Sequence, residues 1–278
     1  MEELENVEEL IAKRAANKKM WLNSLKIFAI SLFSLIFVFF FTISTMFVFA
    51  PKFDAKLFNF FGLTKAEETC YVRAYEKSKS NVDLYNLIIF ESELENYEKE
   101  LYYLDLLLNN EEYLGFYEKL DKSAVASVKD KELIAYACNT NGYLINQKVK
   151  CMYELDFSTL NISNYIKSSL VNDFLFDSSF TTYVELVYND AMLTEVEKQE
   201  VLEIVYNSVD TVLTAKLSKL KTYVGETDYL AGKIIAQNTI VNIRKADYLI
   251  DKINISADEE NSKTAYETEL AVYNDLIK

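Results

Sequence analysis

The chain has 278 residues, half of them apolar, with 29 basic groups against 43 acidic ones for a net charge of −14, and it contains no histidine, one proline and five glycines. The missing histidine excludes Ser-His-Asp and Cys-His nucleophile systems, histidine-ligated zinc and imidazole proton transfer. The acidic balance excludes a nucleic-acid grip, which needs a basic face for phosphates. So little glycine and proline disfavours hairpin-rich β architectures and flexible linkers, and points to an all-α chain.

Residues 1–26 open with Glu2, Glu3, Glu5, Glu8 and Glu9 and close with Lys13, Arg14, Lys18, Lys19 and Lys26, so the segment is neutral overall. Acid first and base last compensates a helix dipole at both ends, which predicts a short cytoplasmic helical tail with its basic end at anionic headgroups. From Ile27 to Ala50 no charge occurs. As a helix this run reaches about 36 Å, enough to cross a hydrocarbon core of about 30 Å. Lys18, Lys19, Trp21 and Lys26 stand where membrane-interface residues belong.

Val48 and Ala50 offer small residues for a signal-peptidase site. The apolar run is too long for an h-region, however, and Pro51 would follow the scissile bond, so an uncleaved anchor is expected. Five basic residues before the span, against Lys52, Lys56 and Lys65 after it, orient the N-terminus toward the cytoplasm and residues 51–278 outside. The expected localisation is the cell membrane, in a single pass.

Residues 51–278 carry the whole net charge and all 20 tyrosines. They are expected to fold as one acidic, all-helical extracytoplasmic domain, with the 156–180 stretch the best place for any internal seam. Thr64 with Glu67, Thr194 with Glu197 and Ser256 with Glu259 match the S/T-x-x-E capping box. Helices are predicted over 65–79, 82–94, 96–109, 111–121, 130–139, 142–155, 159–175 and 180–190. A longer one runs from Thr194 to a stop at Gly225. The next reaches about Ile253 and carries two apolar stripes, one through Leu230, Ile234, Val241 and Tyr248, the other through Ile235, Ile243, Ile250 and Ile253. Two stripes place that helix centrally, between neighbours.

Within this run, Leu84 to Glu112 resembles a tetratricopeptide unit. Leu84 and Leu87 match the first-helix apolar pair, Tyr97 the inter-helix aromatic and Leu104 the second-helix aromatic position. The resemblance implies a helical groove that binds peptides or proteins. The chain departs from the pattern where small residues are replaced by Ile88, Glu100 and Leu107 and the terminal proline by Glu112; a second copy would land on Glu118 and Asp121.

Catalysis is left with carboxylates alone. Glu91-Ser92 invites comparison with the Glu-Ser pair of lytic transglycosylases, but the glycine-containing segments that follow in that family are replaced by ELENYEK. Acidic pairs at helical spacing read as solvated faces. No EF-hand, P-loop or dinucleotide fingerprint occurs, so no metal or cofactor is expected. Cys138 and Cys151 flank a turn and form a candidate disulfide, worth about 3 kcal/mol in an oxidising exterior; Cys70 is left over. Taken together, these features predict a non-catalytic interaction or scaffold module. Its partners would be the bilayer and another protein, with a homo-oligomer compatible. A small-ligand sensor, or less readily a glycan-cleaving carboxylate enzyme, is the alternative.

Overall fold

The computed structural model describes residues 2–110, 142–171, 177–228, 230–254 and 256–278, which are all-helical and contain no strand. The chain divides into two compact units, residues 1–83 and 84–278. The division falls in the first turn of a helix at Asp83 and Leu84, and not in the 156–180 stretch.

The first unit begins with α1 (Glu2–Phe49), a continuous helix of 48 residues. The acidic tail and the apolar run merge because neither Gly nor Pro lies between them to end the hydrogen-bond ladder. Pro51 ends it: the ring lacks an N–H and pushes Ala50 out of the helical region, to φ −138 and ψ 59, while serving as first residue of α2 (Pro51–Phe60). The stretch Asn17–Phe49 is long and apolar enough to cross a membrane, and none of it is buried in the protein.

α2 turns into α3 (Thr64–Ser78) through Gly62, whose φ of 66 is left-handed. The Gly62 N–H reaches Asn59 O and the Leu63 N–H reaches Phe58 O, both at 2.9 Å. This Schellman closure folds α3 back to pack on α2. The capping box expected at Thr64 and Glu67 does not form. Thr64 lies inside α3, and the Glu67 carboxylate instead accepts from Asn59 Nδ2 at 3.1 and 3.2 Å, which ties the two helices together.

The second unit takes up α4 (Asn81–Glu93), α5 (Tyr97–Leu108), α6 (142–154), α7 (Thr159–Val171), α8 (Ser179–Asn189), α9 (Glu195–Glu226), α10 (Leu230–Ile253) and α11 (Glu259–Leu276). With glycine scarce, non-glycine residues make the left-handed closures of α4 and α6: Glu95 at φ 53 and Asp156 at φ 55. Each such position costs about 1 kcal/mol and is held by the 6→1 bonds Asn96 N–H to Glu91 O and Phe157 N–H to Met152 O, both 3.0 Å.

α9 packs against α7, α8 and α10, and α10 against α8, α9 and α11. The core lies between them, through Ile162, Ile166, Phe180, Val184, Leu202, Val205, Val209, Ala236, Ile240 and Ile243. α10 is central, as its paired stripes predict; Leu230, at its exposed start, is the exception.

Only one of the three capping boxes forms. Thr194 Oγ1 accepts from the Glu197 N–H at 3.3 Å and the Glu197 carboxylate accepts from the Thr194 N–H at 2.8 Å. At α11 the N-cap is Asp258, and Ser256 Oγ caps the turn before it by accepting from the Asp258 N–H. α9 continues one residue past Gly225 and ends when Thr227 becomes extended, so Gly225 is helical and not the stop. The helices predicted over 111–121 and 130–139 lie outside the described residues.

Candidate functional site

α9 and α10 meet along a groove of about 500 Å³ lined by Gln199, Glu203, Tyr206, Asp247, Ile250, Asp251 and Asn254. The helical repeat builds it. Gln199, Glu203, Tyr206 and Asp210 fall at i, i+4, i+7 and i+11 on α9, while Asp247 and Asp251 fall at i and i+4 on α10, with Asn254 just past its end. Two polar stripes therefore face one another beside the apolar seam that holds the helices. The groove floor is fixed from both ends: Gln199 Nε2 donates to the Ile253 carbonyl at 2.8 Å, and the Tyr206 ring leans on Phe180 at 6.3 Å.

The charge in the groove is unbalanced. Arg244 donates to Asp247 at 3.1 Å, but Asp247 also faces Asp251 and Asp210. Burial, strengthened by those two charges and partly offset by Arg244, pushes the Asp247 carboxyl up to about 6. Burial, then Asp247 and Asp210, push the Tyr206 phenol up to about 12. A cation entering the groove relieves both. Among the described residues no group of three or more Asp, Glu or Cys side chains is arranged to hold a metal ion. Carboxylates gathered beside a phenol suit an organic cation, an ammonium or guanidinium.

A second polar cluster lies under α5. Glu100 and Glu91 are both fully buried. Asn96 Nδ2 donates to Glu91 at 2.9 Å and Ser92 Oγ to Gln147 on α6 at 3.4 Å. Both Glu100 oxygens lack a hydrogen-bond partner of normal geometry among the described residues. The Cys151 thiol and Ser92 hydroxyl are the groups nearest to supplying one. Burial raises the Glu100 carboxyl, with Lys150 acting against it, and burial next to Glu100 raises the Cys151 thiol. Glu91 is thus enclosed, with Asn96 on its carboxylate.

Of the residues singled out from sequence, Lys18, Lys19, Trp21 and Lys26 lie exposed on α1. Cys151 is a buried free thiol, whereas Cys138 lies outside the described residues. Cys70, also free and buried, sits on α3 near Asp54 and Glu67. In the sequence the groove carboxylates read only as solvated faces; the signal that identifies them is the coincidence of an acidic i, i+7 pair on α9, Glu203 and Asp210, with an acidic i, i+4 pair on α10, Asp247 and Asp251. No family model, curated protein or solved structure matches the chain.

Proposed function

We propose that the protein is a membrane-anchored, non-catalytic binding module whose helical domain stands on the extracytoplasmic side and takes a basic segment of another protein into the α9–α10 groove. The observation that carries the reading is the groove itself, in which Glu203, Asp247 and Asp251 gather around Tyr206 with Arg244 the nearby cation. The anchor is α1, and the basic bias of its N-terminal flank supports the orientation. The acidic surface raises the encounter rate of basic partners and repels anionic ones.

The test uses the full chain in detergent or nanodiscs and a fluorescent lysine- and arginine-rich decapeptide. Binding is expected at pH 7.5, weakened at least about tenfold by Asp251→Asn combined with Glu203→Gln. It also weakens as pH falls from 7 to 5, because Asp247 gains a proton near 6 and loses its charge. Equal binding of an acidic decapeptide sinks the reading. Tight binding of spermidine without the peptide moves it to a small-ligand sensor.

Orientation is tested separately. A maleimide that cannot cross membranes is expected to label Lys278→Cys on intact cells well above the wild-type background. Labelling only after lysis places the domain in the cytoplasm.

A further inference from the structure

α2 buries Pro51, Asp54 and Ala55, yet its opposite side remains strongly apolar. Phe53 is 55% exposed, Phe60 81% and, in the turn that follows, Phe61 58%, with the half-buried Leu57 between them. Phe53, Leu57 and Phe60 fall at i, i+4 and i+7, one stripe of a helix. Lys52 and Lys56 are exposed beside that stripe and Lys65 is exposed in the first turn of α3. A folded surface seldom leaves such large apolar groups contiguous unless something covers them.

The position of α2 along the chain says what covers them. About 20 residues of helix cross the hydrocarbon core. Counted from Ile27, they end near Met46, which leaves Phe47–Ala50 in the headgroup layer. α2 starts at Pro51, one residue after α1 stops. The unit places further cations at the same depth: the Arg73 guanidinium lies 4.8 Å above the Phe47 ring, and Lys77 lies 5.9 Å from the Phe49 ring while donating to the Phe49 carbonyl at 3.3 Å. Arg73 and Lys77 of α3 therefore stand level with the rings of the last turn of α1, and the apolar stripe and lysines of α2 follow that turn directly in the chain. That is the composition of an interfacial amphipathic element, with rings at the acyl boundary and long cationic side chains reaching phosphate.

We propose that α2 and its following turn lie on the bilayer that α1 crosses, with Phe53, Leu57, Phe60 and Phe61 at the acyl boundary and Lys56 and Lys65 on anionic headgroups. This rests on α1 spanning the bilayer. The full chain, with Trp21→Phe removing the native tryptophan, carries single reporters Phe37→Trp, Phe60→Trp or Tyr102→Trp in phosphatidylcholine–phosphatidylglycerol vesicles brominated high on the acyl chains. Phe60→Trp, already exposed in the fold, is expected to be quenched, and Tyr102→Trp, 60% exposed on α5, to remain bright. Lys56→Glu with Lys65→Glu lowers quenching at Phe60→Trp by about twofold or more and leaves Phe37→Trp unchanged.

Quenching at Phe37→Trp without quenching at Phe60→Trp overturns the proposal while leaving the span intact. Absence of quenching at both overturns the spanning reading and the proposal with it. Blue-shifted Phe60→Trp emission that bromine does not quench assigns the face to protein, a second copy included, and also overturns it. Quenching unaffected by the two lysine reversals removes the headgroup contact.

Discussion

Phe180→Ala destabilises the second unit by about 3–5 kcal/mol, read from urea unfolding followed by circular dichroism. Phe180 is 1% exposed and belongs to the cluster in which α7, α8, α9 and α10 meet. The truncation removes a ring from a site walled by helices on several sides, so the cavity has little freedom to collapse. Domains of this size are stable by roughly 5–15 kcal/mol, so the loss consumes a large share. The effect extends to the groove, because the same ring supports Tyr206. Phe180→Leu, which keeps most of the volume, costs about 1–2 kcal/mol. A loss below about 1 kcal/mol for the alanine variant would mean that α8 is not seated as described.

Glu100→Gln is expected to stabilise the domain at neutral pH by roughly 1–3 kcal/mol. Glu100 is fully buried and its carboxyl is raised by that burial. A carboxyl whose folded value stands above its unfolded value favours folding in its protonated form. Its contribution is therefore complete below the unfolded value of about 4.3 and is lost as pH rises through the folded value. Wild type should lose stability across that rise, and Glu100→Gln should flatten the curve in the same window. Denaturant midpoints between pH 4 and 8 decide it. A variant less stable than wild type at pH 7 would show that the charged carboxylate is held by partners that outweigh its burial.

The helices were legible from sequence because apolar spacing and the absence of breakers act locally: α4, α5, α8 and α9 begin and end within a few residues of their predicted limits. The capping boxes at Thr64 and Ser256 were not, since a cap depends on where the preceding chain enters. At Thr64 the Schellman turn at Gly62 sets that entry and Glu67 turns to Asn59. Buried acids were least legible of all. Asp54, Glu91 and Glu100 carry nothing in their own spacing that distinguishes them from solvated neighbours, because their burial is decided by how whole helices pack on one another. The same limit hid the groove. Glu203 and Asp247 are separated by a helix end and a turn, and only the packing of α9 on α10 brings them together.

The uninterrupted course of α1 has a mechanical consequence. A helix of 48 residues is about 72 Å long, more than twice the hydrocarbon thickness. The 25 residues before Ile27 continue that helix as an arm of roughly 37 Å. A tilt of about 20°, ordinary for such spans, sweeps the tip of that arm through about 13 Å. With no joint before Ala50, and with α1 crossing the bilayer as proposed, the arm turns together with the segment in the lipid. Under that proposal its acidic end, Glu2 to Glu9, moves as the pointer of a lever whose angle follows the thickness of the surrounding membrane.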